Sequence, residues 1–473
     1  MNLPNLVEAR KRTNNKVLNQ EYSFPDEYKK LGLNKKYFLR TYGCQMNEHD
    51  SENIKGLLNK MSYTETDEMN DADLIILNTC SIRENAHNKA FGMLGRIKHL
   101  KEETKRNDLI VALCGCMAQE EVVVQEIMQK YRFVNFVFGT HNLGDLPKLI
   151  SESSNTNKTN FEVYSIEGSV VEDLPMVRNS KYKAFVNIIY GCDKFCTYCI
   201  VPYTRGKQRS RKMADILREV DELIASGYKE VTLLGQNVNA YGKDLEENVT
   251  LADLLSAISN KKIDRVRFVT SHPWDFTDEM IEVIKKYPNI MPQVHLPLQS
   301  GSDRILKLMG RRYTSDSYKK LFDKLKEVPN MAITTDIIVG FPGETEEDFQ
   351  KTIDMVNYCQ YDGAFTFIYS PREGTPAAKL YDKDNTKLEV KEDRLYRLNA
   401  LINDYSLKSN QKLVGQTVKV LVDGMSSKEN ELCGYTETNK LVNFSGPLDL
   451  IGQIVNVRID DAKSFSLDGV YVD

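Results

Sequence analysis

Two long stretches of the chain alternate short, continuously apolar runs with segments of helical period, and few folds accommodate that pattern. In the first, Tyr37–Thr41, Asp73–Asn78 (with Leu74, Ile75, Ile76 and Leu77), Leu109–Leu113 and Asn135–Phe138 read as strands. Helices are expected at Asn47–Met61, Glu84–Glu102, Gln119–Lys130 and Leu143–Ser151. Strands that are apolar on successive residues are covered on both faces, so residues 35–151 form a doubly wound α/β domain on a parallel sheet. The second stretch, within residues 182–408, has strands at Ala184–Tyr190, Glu230–Leu234, Val266–Thr270, Gln293–Leu296, Ala332–Val339 and Ala364–Tyr369. Six such units are too few for a closed eight-fold barrel. They suit an open, partial (β/α)6 barrel with its site at the carboxyl ends of the strands.

Cysteines fall where those strands end. Cys44, Cys80 and Cys116 follow the first three strands, in Gly43-Cys44-Gln45-Met46-Asn47, Asn78-Thr79-Cys80-Ser81-Ile82-Arg83 and Gly115-Cys116-Met117-Ala118-Gln119. Ligands of doubly wound sheets bind beyond the carboxyl edge, and three thiols there are candidate ligands of a metal cluster. Gly43 and Gly115 let the backbone approach a bulky group closely. Cys114 still lies within its apolar run and reads as a packed core thiol, and Cys359 and Cys433, with no metal-like partners nearby, read as ordinary packing residues. The first strand of the second stretch runs into Cys192-Asp193-Lys194-Phe195-Cys196-Thr197-Tyr198-Cys199. A structural zinc site takes four protein ligands, whereas this C-x3-C-x2-C run has no fourth Cys or His close by. A [4Fe–4S] cube held by three thiolates keeps one iron open to a small molecule.

Bulk properties narrow the setting. Nine cysteines, an odd number grouped beside glycine-rich loops, do not read as a disulfide framework. They fit a reducing compartment, and with no signal-peptide core and no long apolar segment the expected location is the cytoplasm. A net charge of −4 argues against indiscriminate nucleic-acid binding but leaves room for a local basic site. Arg205-Gly206-Lys207-Gln208-Arg209-Ser210-Arg211-Lys212 is the sharpest basic run, and Arg205, Lys207, Arg209 and Arg211 are candidate contacts to RNA phosphates. Arg304, Lys307, Arg311 and Arg312 form a second cluster. Polar segments recur at the expected barrel rim: Gly235-Gln236-Asn237, Ser271-His272-Pro273, Gln299-Ser300-Gly301-Ser302, Gly340-Phe341-Pro342-Gly343-Glu344 and Ser370-Pro371-Arg372. His272 reads as structural. Residues 1–34 read as a polar, partly disordered extension and 152–181 as a linker. Lys387–Lys408 reads as a long amphipathic helix. Residues 409–473 hold five short strand signals separated by turns, the pattern of a small closed β-barrel.

The run Cys192–Cys199 resembles the signature of the radical S-adenosylmethionine (SAM) superfamily, with Tyr198 as the aromatic before its last cysteine. From Lys36 to Val472 the chain resembles the radical SAM methylthiotransferases, the last domain being like their TRAM domain. Tyr42-Gly43-Cys44-Gln45-Met46-Asn47, Leu234-Gly235-Gln236-Asn237-Val238-Asn239 and Ser271-His272-Pro273 are most similar to members that act on tRNA. The resemblance implies two [4Fe–4S] clusters, one on Cys192, Cys196 and Cys199 and an auxiliary one on Cys44, Cys80 and Cys116. It also implies two SAM molecules with different tasks. One methylates a sulfur at the auxiliary cluster, and the other yields the radical that abstracts hydrogen from C2 of an N6-isopentenylated adenosine beside the anticodon. Tyr198, Gln236, Ser300 and Arg312 are then expected SAM contacts, with no catalytic residue beyond the clusters. Expected partners are the tRNA anticodon arm and an electron donor such as a flavodoxin-type reductase system. The sulfur donor is unnamed, no membrane is involved, and the chain is expected to be a monomer. Other substrates for the same chemistry are a different hypermodified adenosine or an aspartate of a ribosomal protein. A non-catalytic RNA-binding iron–sulfur protein or a two-cluster electron carrier would need no SAM site.

Overall fold

The computed structural model describes residues 5–14, 16–81, 84–153, 160–163, 169–427 and 431–472, so that Ile82 and Arg83 lie outside the described residues. The chain divides into two compact units. One is made of Met1–Asn179, Asn187–Arg211 and Pro371–Ala378, the other of Ser180–Val186, Lys212–Ser370 and Lys379–Asp473.

The first unit is built on a six-stranded parallel sheet, in the order Thr64–Glu65, Lys36–Tyr42, Leu74–Thr79, Ile110–Gly115, Phe136–Phe138, Asn160–Glu162. Side chains alternate across it. Ile75, Leu77, Val111 and Leu113 pack with Leu94 and Ile97 of the helix Glu84–Thr104 and Ile127 of Glu121–Lys130. Leu74, Ile76 and Ala112 pack on the other face with Ile54 and Leu57 of Gln45–Lys60 and Leu149 of Leu146–Ser153. The chain starts at Lys36–Tyr42, goes first to one side of it and then to the other. The switch point therefore lies between Lys36–Tyr42 and Leu74–Thr79, where such sheets open a ligand crevice at the strands' carboxyl ends. Cys44 and Cys80 leave from those two ends.

Two expectations for this unit need correction. The N-terminal extension carries a helix, Leu6–Arg12, capped by Asn5, and a strand, Leu18–Glu21, paired in parallel with Ser169–Glu172. Tyr22, Phe24, Tyr28 and Leu31 seat individually on the core, so aromatics without a period still anchor the segment. The stretch read as a linker holds both Ser169–Glu172 and the edge strand Asn160–Glu162. Tertiary pairing overrides its polar composition.

In the second unit the strands Lys183–Asn187, Glu230–Leu234 and Arg265–Phe268 are neighbours, and so are Gln293–His295, Ala332–Val339 and Gly363–Ile368. A parallel bridge between Val266 and Ile290 joins the two halves into the expected open six-strand order. The expected strand Ala184–Tyr190 breaks at Ile188, and Ile189–Tyr190, within the first unit, pairs antiparallel with Arg209–Ser210. That short ladder closes the base of the cysteine loop. The C-terminal strands Thr417–Met425, Leu432–Thr436, Leu441–Ser445, Ile454–Ala462 and Leu467–Val472 form a closed barrel around Val420, Leu432, Phe444, Val457 and Leu467. Two buried arginines tie it to the partial barrel. Arg265 donates to the Tyr435 and Lys419 carbonyls, and Arg267, paired with Glu230, donates to those of Thr436 and Glu437.

Candidate active site

Each strand-end cysteine is placed by a local device. Cys44 is the N-cap of Gln45–Lys60, with extended backbone and its N–H donated to the Asn47 side chain. Asn47 in turn donates to Asn78 Oδ1 at 3.0 Å and the Thr79 carbonyl at 3.2 Å, while Asn78 donates back to the Asn47 carbonyl and to Ser51. These buried amides lock the helix start to the next strand across the switch point. Cys116 opens a short turn after Gly115, whose φ is +92°. A Cβ there would lie 2.4 Å from the Thr79 carbonyl oxygen, so only glycine fits.

The three sulfurs are electrostatic neighbours. A hydrogen bond from the Cys80 thiol holds the Cys44 thiol down to about 6 against the opposing effect of burial, helped by Arg205 and the N–H groups of Asn47 and Met46. Burial pushes Cys116 up to about 11, and Arg205 limits the rise. Arg205 is itself buried. Its Nε donates to Cys116 Sγ at 3.0 Å, and its terminal nitrogen pairs with buried Asp50 at 2.6 Å. Cys114 is fully buried in the apolar core, as expected of a packing thiol.

The second triad sits in the same compact unit. Gly191, at φ +68°, admits the chain beneath the Lys207 carbonyl, and the Cys192 N–H donates to the Gly206 carbonyl. Phe195, a non-glycine residue at φ +49°, turns the loop between the first two cysteines, with the Arg10 guanidinium 5.6 Å from its ring centre. The Cys192 thiol is pushed above the usual range, first by burial and then by Cys196. The segment Pro371–Ala378 touches both cysteine-bearing loops. Arg372 donates to the Ser81 carbonyl beside Cys80, and the Ala377 N–H to the Thr197 carbonyl beside Cys196.

Each donor set has the chemistry that an iron–sulfur cube takes, three thiols apiece. No cysteine of the chain is in a disulfide. Among the described residues no three Cys, His, Asp or Glu side chains converge where a single ion would sit. A cube asks for less convergence, because each thiolate meets its own iron at a separate corner.

The second unit presents a rim of acceptors at the ends of its strands. Gln236 Oε1, Asn237 Oδ1, Ser271 Oγ and Gln299 Oε1 are buried without hydrogen-bond partners. Such atoms are costly unless a ligand satisfies them. The rim is also strained, since Thr270 and Gln299 both have φ near the left-handed region, at +66° and +68°. Acceptors of this kind suit the amino groups of SAM.

Residues 186–356 match the radical SAM superfamily, 36–139 the uncharacterized protein family UPF0004, and 411–472 the TRAM domain. The chain is 53% identical over 473 residues to the tRNA-2-methylthio-N(6)-dimethylallyladenosine synthase of Staphylococcus epidermidis, covering 99% of this chain and 91% of that one. It belongs to that synthase family. The enzyme of the same name from Bacillus cytotoxicus is also 53% identical, over 99% of this chain and 92% of its own. Among solved structures, the radical SAM methyltransferase TsrM of Kitasatospora setae shares the fold, with a TM-score of 0.52 at 14% identity over 73% of this chain and 74% of that one. The chain is thus a radical SAM methylthiotransferase, and its superfamily implies a [4Fe–4S] cluster and SAM. No described helix is long and apolar enough to cross a membrane.

The structure relocates several expected contacts. Arg205, Arg209 and Arg211 do not form an exposed basic patch. Arg209 donates to the Arg205 and Lys207 carbonyls, and Arg211 pairs with Glu172 and donates to the Asn187 carbonyl. All three are buried, because the hairpin that carries the cysteine loop folds its cations inward; Lys207 is half-buried. Ser300 is fully buried, its hydroxyl accepting from the Ser302 N–H and lying 3.4 Å from that of Thr352. It braces the rim instead of lining it. Tyr198 is half-buried in its loop, and Gln236 keeps an open acceptor. Arg312 is exposed and lies over the Trp274 ring. Asp50, Asn47 and Arg372 were not legible as site residues. Only the nearness of Asn47 to Cys44 and of Arg372 to a rim turn gave any signal.

Proposed function

We propose that the chain inserts a methylthio group at C2 of the N6-isopentenyladenosine beside the anticodon of tRNA, with two [4Fe–4S] clusters and two SAM molecules. Cys192, Cys196 and Cys199 would hold one cluster, and Cys44, Cys80 and Cys116 the other. When bound, these groups supply the radical that removes the C2 hydrogen and the sulfur that takes its place, chemistry that acid–base residues cannot reach. The protein's part is placement. The Asn47–Asn78 amides hold the helix start and the strand end that carry Cys44 and Cys80, and Arg205 donates to the sulfur of Cys116. Gln236, Asn237 and Gln299 would accept from the amino groups of SAM. The proposed division of the chain is a cysteine-bearing domain over 35–151, a radical SAM domain over 182–408 and a TRAM-like barrel over 409–473.

The observation that carries this reading is the presence of two three-thiol sets in one compact unit, each with a positive-φ glycine directly before one of its cysteines, Gly115 before Cys116 and Gly191 before Cys192. Its test is anaerobic reconstitution with iron and sulfide, followed by SAM, a reductant and isopentenylated tRNA. Mass spectrometry of the digested tRNA should find the 2-methylthio nucleoside. SAM cleavage without that product would move the substrate, and no SAM cleavage at all would overturn the reading.

A further inference from the structure

The rim turn His272-Pro273-Trp274-Asp275 presents the chain's sole tryptophan. Trp274 is 42% exposed although its neighbours on both sides are buried. The turn is held from several directions. The Trp274 N–H donates to His272 Nδ1 at 3.2 Å, and the His272 N–H donates to Asn239 Oδ1 at 3.1 Å. Asp275 accepts from Asn237 at 2.7 Å and from Lys243 at 2.6 Å. The backbone is therefore fixed while the indole projects from it. Arg312 lies over the indole, its guanidinium carbon 4.8 Å from the ring centre. Arg312 is exposed, whereas the adjacent Arg311 is turned inward and donates to the Pro297 carbonyl.

An exposed indole on a rigid turn gains little by burying itself within its own chain. A large π-face beside a cation is what unpaired nucleotides select, since the base stacks and the cation meets the phosphate. We propose that Trp274 and Arg312 form a stacking platform for an unpaired base of the RNA substrate. This rests on the tRNA reading above and adds an RNA contact to the rim. It also gives Arg312 an RNA role in place of the expected SAM contact.

Because the chain has one tryptophan, its emission reports on this turn alone. The experiment uses the cluster-loaded full chain and a fluorophore-labelled stem-loop RNA carrying the isopentenylated adenosine. Label anisotropy reads binding and tryptophan emission reads stacking. The expected result is saturable quenching that tracks the anisotropy, with much less quenching from an RNA whose loop is abasic. Trp274→Ala should weaken binding roughly 5- to 100-fold, the usual range for losing one stacked base, whereas Trp274→Phe should retain most of it. Arg312→Gln should weaken binding less and flatten its salt dependence. Saturated binding with unchanged emission, or Trp274→Ala binding as tightly as the parent, would overturn the platform and leave the tRNA reading intact. Absence of RNA binding at any concentration would overturn both.

Discussion

The two cysteine triads occupy one compact unit but are assembled by opposite means. Cys192, Cys196 and Cys199 sit within eight consecutive residues, and a two-residue ladder closes the loop that holds them. Cys44, Cys80 and Cys116 come from three strand ends and meet only when the parallel sheet is in register. The first triad is a local motif that any fold could carry. The second is a product of topology, and it recruits a buried arginine–aspartate pair that the local triad lacks among its described contacts. Arg205 comes from the segment after the local triad yet reaches Cys116. A charge that reads as surface in sequence thus serves to join the two.

The largest expected effect follows from that pair. Replacing Asp50 by Ala strands a buried guanidinium and should cost about 3–5 kcal/mol, read as a fall in urea midpoint with the slope unchanged. A loss below about 1 kcal/mol, the range of exposed pairs, would mean that the pair is solvated and the comparison overstated.

Glycine supplies the next test. Gly115→Ala and Gly191→Ala both put a Cβ against a carbonyl oxygen at positive φ, so each should destabilise by roughly 1–3 kcal/mol. The outcomes should differ in kind, Gly115→Ala impairing iron loading of the strand-end triad and Gly191→Ala that of the loop. Equal loss from both triads in either variant would show that they do not assemble separately.

A pair in the second unit sharpens the contrast with Arg205–Asp50. Asp348 is buried, but its partner Arg304 is half exposed. Burial works against the charge, and donors on Arg304, Ser302 and Thr345 outweigh it, holding the carboxyl below its usual range. A lowered folded value stabilises above the unfolded value and is lost as pH falls through the folded one. The advantage of the parent over Asp348→Asn should therefore be full at neutral pH and shrink below about pH 4, measured by thermal unfolding across that range.

The smallest effect belongs to Cys114, which is buried but makes no proposed ligand. Cys114→Ala should cost about 1 kcal/mol of packing and leave iron content unchanged, whereas Cys116→Ala should lose iron.

How much of this was legible follows the same divide. The loop triad could be read from spacing alone, and the strand-end triad from β/α alternation once each apolar run was taken as a strand. All five strands of the terminal barrel were also readable, because its turns are punctuated by Gly, Asn and Asp. What failed was burial. Arg205, Arg209 and Arg211 look like a solvated run because sequence shows their charge and not the carbonyls and carboxylates waiting for them. The order of the extension is hidden for a related reason, since Tyr22, Phe24 and Tyr28 have no period and find their places only on a sheet formed later in the chain.

The most direct test of the central claim is an iron count joined to SAM cleavage in two triple variants. Reconstituted parent should carry about eight irons, two [4Fe–4S] clusters. Replacing Cys44, Cys80 and Cys116 by Ala should leave about four irons, continued formation of 5′-deoxyadenosine and no methylthiolated product. Replacing Cys192, Cys196 and Cys199 should also leave about four but abolish 5′-deoxyadenosine. An unchanged iron count after loss of the strand-end cysteines would contradict the account, because those three thiols would then hold no cluster.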